Sequence, residues 1–173
     1  PTSAEFTLDL VVKLGFLKQS DFISEMSGNA NKELAIEESL KDLEVRWKDI
    51  ILETGPYKDK YYKIKGTDDL TQFLEDDSVA LSTMKASKFY NSFKPKIDEW
   101  EHTLSTISEV VDLLLGVQRK WIYLESIFMS GGDISKQLPE EYVLFVRVNT
   151  DFTMVMTKFH NVPQAKTTCL EDG

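Results

Sequence analysis

Val117-Gln118-Arg119-Lys120-Trp121-Ile122-Tyr123-Leu124-Glu125-Ser126-Ile127-Phe128 is the densest aromatic and aliphatic run in the chain. It closes a longer periodic segment. From Trp100, apolar residues recur at Leu104, Ile107, Val111, Leu114, Val117, Trp121, Leu124 and Phe128. Steps of three and four residues place these side chains on one face of an α-helix. Trp100, Trp121, Leu124 and Phe128 are therefore expected to lock neighbouring helices together. Arg119, Lys120 and Glu125 fall off the stripe and are expected on a charged face, either facing solvent or docking a partner. Phe89, Phe93 and Ile97 lead into the seam, so the helix is expected over about 94–128, with Pro95 in an early turn or at a kink. Ser130-Gly131-Gly132 is expected to end it.

Upstream, a helix is expected over about 20–47. Ser20 or Asp21 can cap it. Its stripe runs from Ile23, Met26 and Ala30 through Ile36, Leu40, Leu43 and Trp47. Glu37 and Lys41 form a favourable i,i+4 pair. Before it, Thr7 can cap a short helix over Leu8–Leu14 with Gly15 as its stop. The lead-in residues Phe6, Leu8, Leu10, Val11, Val12, Leu14, Phe16 and Leu17 are apolar enough to predict packing.

At Trp47 the pattern changes. Ile50-Ile51-Leu52, the turn residues Thr54-Gly55-Pro56, and Lys60-Tyr61-Tyr62-Lys63-Ile64 predict a β-hairpin over about 49–65. Helical character returns over 67–88, as one turn-capped stretch at Thr67-Asp68-Asp69 and another starting near Glu75-Asp76-Asp77-Ser78. Asp133 can cap a short turn. Pro139-Glu140-Glu141 opens a last helix over about 139–159, with the stripe Phe145, Val148, Phe152, Val155 or Met156, and Phe159. Residues 161–173 contain Pro163 and no periodicity, and are expected to be a flexible tail. The fold class is mainly α: an elongated antiparallel helical bundle or rod with one small inserted hairpin. A straight helix over 96–128 would be roughly 50 Å long, against a radius of gyration of roughly 15–16 Å for a compact domain of this size.

Composition narrows the functions. The chain has 173 residues, net charge −9 and one cysteine. No basic stripe is available for nucleic acid. Cys169 cannot form a disulfide within the chain. No apolar run approaches the roughly 20 residues of a membrane span, and no signal peptide is visible. The start at Pro1 and the polar end suggest a piece of something longer. Gly131-Gly132 has no lysine of a phosphate-binding loop after it. Asp98, His102 and Ser105 share one exposed helix, whereas a catalytic triad draws its members from separately placed elements. The acidic groups at 33–44 and 75–77 lack histidine or EF-hand ligand spacing. No catalytic residue, cofactor or metal is expected.

The opening stretch nevertheless carries more than periodicity. Val117 to Phe128 resembles a signature of the linker region of dynein heavy chains. Asp133-Ile134-Ser135-Lys136-Gln137-Leu138-Pro139-Glu140-Glu141, then Phe145 to Met156, resemble the segments that follow it. Lys32-Glu33, Ile36-Glu37, Leu40 to Trp47, and Ser82 to Phe89 are similar to those that precede it. Leu74-Glu75-Asp76-Asp77 and Leu104 to Val110 resemble axonemal rather than cytoplasmic versions. Gly131-Gly132, Val143-Leu144 and Phe152 depart from the family pattern. The resemblance spans about residues 6–160.

It implies a mechanical lever that swings across a ring of ATPase modules, this chain being the N-terminal half of the linker. The implied partners are the AAA+ ring and the remainder of the linker in the same heavy chain, with other dynein subunits, and microtubules only through the parent chain. Nucleic acid and membrane are not implied. The implied place is the cytoskeleton and ciliary axoneme. A non-motor cytoskeletal adaptor or spectrin-like spacer shares the amphipathic helices, but a plain helical spacer has no hairpin. An isolated chain is expected to be monomeric, with apolar surface exposed where the rest of the linker would pack.

Overall fold

A computed structural model describes residues 7–130 and 133–170. The described helices are α1 (Leu8–Lys13), α2 (Ser20–Arg46), α3 (Asp68–Lys85), α4 (Tyr90–Phe128), α5 (Ile134–Gln137), α6 (Pro139–Asn161) and α7 (Ala165–Leu170). A 3-10 turn lies at Phe16–Gln19, and strands β1 (Thr54–Tyr57) and β2 (Tyr61–Ile64) form the hairpin. The mainly helical class with one inserted hairpin holds. The expected terminator Gly131-Gly132 lies outside the described residues.

The chain divides into two compact units, residues 1–41 and 42–173. In the first, Thr7 caps α1 by accepting a hydrogen bond from the Leu10 N–H at 3.3 Å. Gly15 follows with φ +73°, a left-handed conformation in which a Cβ would be strained. The expected packing of the lead-in is not observed at Leu10, Val12 and Leu14, which are exposed, while Val11 is half-buried. Phe6 and the side chains of Leu8, Phe16 and Leu17 lie outside the described residues. The early α2 stripe also differs: Ile23, Met26 and Ala30 are exposed. Burial begins at Ile36 and Leu40.

The second unit holds the core. Leu43 and Trp47 are buried where α2 ends. The acids at 75–77 do not start a new helix, because α3 runs unbroken from Asp68 to Lys85. Asp77 is 2% exposed. It accepts a hydrogen bond from Trp47 Nε1 at 2.7 Å and pairs with the Arg46 guanidinium. Both oxygens are therefore satisfied in an apolar surrounding that would otherwise disfavour the charge.

α3 and α4 form an antiparallel pair. Lys85 binds Glu101 at 2.7 Å near the connection, and Thr71 and Asp112 line the same groove at the far end. α4 has 39 residues, so it is about 58 Å long at 1.5 Å per residue. Pro95 sits in its second turn without ending it. α6 returns antiparallel to α4. Phe128 stacks on Phe145 at 5.2 Å and Trp121 on Phe152 at 4.4 Å.

Two expectations about the chain path are corrected. Thr54-Gly55-Pro56 is not the turn but most of β1, paired as Thr54↔Ile64, Gly55↔Lys63, Pro56↔Tyr62 and Tyr57↔Tyr61. The turn falls at Lys58 and Asp59, with φ +50° and +52°. Pro56 is tolerated because the sheet has only two strands, so its missing donor can face the open edge. Residues 161–173 are likewise not simply a tail. Ile51 bridges Gln164, Leu52 donates to the Pro163 carbonyl at 2.8 Å, and Ala165 donates to that of Ile50 at 3.0 Å. α7 then packs on α4, with Ala165 and Thr168 buried and the Lys166 ammonium 4.1 Å from the centroid of Trp100. Pro163 ends α6 but leaves its carbonyl free to accept from Leu52.

Candidate functional site: the hairpin clip on α4

The side chains that bind most elements together lie on one face of α4, between residues 118 and 125. Gln118 is buried. Its Oε1 accepts from the Ile64 N–H at 2.7 Å and its Nε2 donates to the Ile64 carbonyl at 3.1 Å. A carboxamide presents one donor and one acceptor, as a backbone residue does, so Gln118 takes the place of a neighbouring strand at the end of β2. One turn on, Trp121 is 1% exposed. Tyr57 and Tyr61 meet its ring edge-on at 5.5 and 5.2 Å. Phe152 stacks on it from α6, and its Nε1 donates to Asn149 Oδ1 at 3.1 Å. A further turn on, Glu125 is 3% exposed. It accepts from Lys58 Nζ at 2.5 Å and from the Tyr57 hydroxyl at 3.4 Å. The hydrogen bond to Glu125 holds the Lys58 ammonium above its usual range.

Glu125 therefore does not belong to a free charged face. It anchors the hairpin turn, and that part of the expected docking surface is withdrawn. Arg119 and Lys120 are exposed, as the off-stripe reading requires. The partners of the Trp121 ring are aromatic: Tyr57, Tyr61 and Phe152. Among the residues chosen for the core, Trp47, Trp100 and Trp121 are buried, while Leu124 and Phe128 are half-buried. Val117, assigned to the seam, is 43% exposed, and Gln118 turns inward instead. The same exchange occurs on α6, where Val148 is exposed and the neighbouring Asn149 reaches Trp121.

Sequence reasoning missed Gln118, Asn149 and Asp77 because each is polar at a helical position that reads as outward. The usable signal was spacing: Gln118 and Glu125 continue the three- and four-residue steps through Val111 and Trp121. His160 lies in the last turn of α6. It stacks on Tyr62 at 3.8 Å, and its Nδ1 lies 3.1 Å from Thr54 Oγ1, which ties the end of α6 to the hairpin.

Asp98 binds Tyr90 and Lys94, and Ser105 donates to Glu109, so the imagined triad with His102 does not assemble. No group of His, Cys, Asp or Glu able to hold a metal occurs among the described residues. No helix among them is long and apolar enough to cross a membrane. Cys169 is partly buried, and the loss of solvation pushes its thiol up to about 11. A thiol at that value is not a nucleophile near neutrality.

The fold and the clip define a helical structural module in which a hairpin is fastened across a long helix. The chain belongs to the dynein heavy-chain family: the family model described as "Dynein heavy chain, N-terminal region 2" matches residues 1–173. It is 46% identical over 159 residues to dynein axonemal heavy chain 2 of Mus musculus, covering 91% of this chain and 4% of that protein. It is 40% identical over all 173 residues to the dynein-1-beta heavy chain of the flagellar inner arm I1 complex of Chlamydomonas reinhardtii, again 4% of that protein. A cytoplasmic dynein heavy chain of Dictyostelium discoideum is 31% identical over 159 residues, 92% of this chain and 3% of that protein. The chain thus spans about one twenty-fifth of the length of the axonemal relatives.

Proposed function

We propose that this chain is part of the linker of an axonemal dynein heavy chain, a helical lever that moves across a ring of AAA+ ATPase modules. Its partners are then the ring and the rest of the linker in the same heavy chain, together with other dynein subunits. Microtubules are engaged only through the parent chain. Its place is the cytoskeleton of the ciliary axoneme. ATP hydrolysis belongs to other modules, and this segment has no enzymatic step of its own. The observation that carries the reading is the family match across the whole chain, together with 46% identity to an axonemal heavy chain.

The clip fits such a role physically. A lever transmits force only where its elements do not slide. Gln118, Trp121 and Glu125 join the hairpin to α4 by hydrogen bonds, ring contacts and an ion pair at successive turns. Trp121→Ala, introduced into the heavy chain carrying this sequence, is expected to slow microtubule gliding while ATP turnover and microtubule binding persist. Circular dichroism checks that helix content is retained. Gliding at the unaltered rate, with the clip shown to be loosened by hydrogen exchange at Ile64, would overturn the lever reading.

A further inference from the structure

A groove of about 630 Å³ lies away from the clip, between the end of α2, the extended segment 50–53 and the start of α3. Its apolar wall comes from Val45, Ile51, Leu70 and Phe73. Val45 is 61% and Ile51 50% exposed, and Phe73 is also open to solvent. Asp49, Glu53, Asp68 and Asp69 line the same groove. None of these four carboxylates forms an ion pair with a described cation. The lining base, Arg46, is already held by Asp77.

The backbone at Ile51 adds direction. Ile50 and Leu52 turn their hydrogen-bonding groups toward residues 163–165. In an extended strand the groups of the intervening residue point to the opposite edge. There the N–H and C=O of Ile51 make no backbone hydrogen bond with the described residues. The groove therefore combines an open strand edge, an apolar anchoring surface and four carboxylates without a side-chain ion pair to a described cation, of which Asp68 and Asp69 also meet the N-terminal end of the α3 dipole.

We propose that this groove docks an extended cationic polypeptide segment carrying an apolar anchor, which adds a short strand at Ile51 and sets its lysine or arginine side chains against the carboxylates. Backbone pairing supplies register, the wall formed by Val45 and Phe73 takes the anchor, and the acids select positive over negative segments. The inference is independent of the lever reading, since it rests on this groove alone.

The test uses the 173-residue chain and a fluorescein-labelled alternating Lys/Leu octapeptide, with a Glu/Leu octapeptide of the same length as its opposite. Anisotropy is expected to show binding of the cationic probe and none of the anionic one. Combined Asp49→Asn, Glu53→Gln, Asp68→Asn and Asp69→Asn is expected to weaken binding about tenfold, as several rim charges together allow. The comparison variant removes four exposed acids from α2 with the same change in net charge: Glu33→Gln, Glu38→Gln, Asp42→Asn and Glu44→Gln. It is expected to retain binding. Equal loss in both variants, which would indicate attraction to net charge alone, overturns the proposal. So does absence of cationic-probe binding to the unaltered chain. Should the groove variant fail to fold, a photo-reactive benzoylphenylalanine in the probe decides on the unaltered chain. Cross-links at 45–53 and 68–73 support the site, and cross-links elsewhere overturn it.

Discussion

At the scale of the single residue, the decisive positions are polar groups in apolar surroundings. Gln118 satisfies both backbone groups of Ile64. Replacing it with leucine raises hydrophobicity at an inward helical position, and a count of apolar area alone predicts a gain. The buried Ile64 N–H and C=O would instead be left unpaired. Gln118→Leu is expected to destabilise the chain by about 2 kcal/mol, read as a lower urea midpoint. Cys169 gives a second prediction, from chemistry rather than packing. Its thiol is pushed up to about 11 by burial, so iodoacetamide is expected to label it slowly at pH 8 in the folded chain and rapidly after unfolding. The folded state holds the proton more tightly than the unfolded state does. The resulting stabilisation is complete below the ordinary thiol pKa of 9.0 and is lost as pH rises toward 11.

At the scale of the element, helices were readable where burial follows a periodic stripe, and misread where an element is held by a distant one. α4 and α6 follow from spacing that puts Trp100, Leu104, Ile107, Trp121, Phe145, Phe152 and Phe159 inward. α7 could not be read this way. Its six residues are too few to show a period, and isolated helices of that length do not hold in water. It persists because Pro163 and Ala165 pair with Leu52 and Ile50, more than a hundred positions earlier. Ala165→Asp places a charge at a fully buried site. It is expected to detach α7 and cost about 3 kcal/mol or more, seen as lost protection of residues 165–170 in hydrogen exchange. The hairpin shows a related limit. Thr54-Gly55-Pro56 has turn composition, yet the register is set by Tyr57 and Tyr61 gripping Trp121 and by Glu125 holding Lys58. The turn is thereby displaced to Lys58-Asp59, both left-handed.

At the scale of the whole molecule, the two units differ in how much they bury. Phe22, Ile23, Met26 and Leu34 in the first are exposed, whereas Ile97, Ile107, Trp121 and Met156 in the second are at most 1% exposed. Local opening should therefore be easier in residues 20–34 than in α4. Amide hydrogen exchange at neutral pH is expected to be faster across 20–34 than across 97–125. Equal protection in both stretches would show that the exposed stripe of α2 is covered in solution.

Periodicity, capping and turn chemistry alone determined that this chain is mainly helical, where its long helices run, and that a hairpin interrupts them. Those properties arise from residues within a few positions of one another, so they are written locally. The ordered motifs also resembled a dynein heavy chain, and the family comparison agrees. Tertiary structure alone decided which polar residues turn inward. Gln118, Asn149, Asp77 and Glu125 are buried or half-buried because partners remote in sequence satisfy them. It also decided that residues 165–170 fold and where the hairpin turns. The opening run, 117–128, contains both cases. Trp121 faces inward by its own hydrophobicity, while the residues one turn to either side do so only because the hairpin supplies their hydrogen bonds.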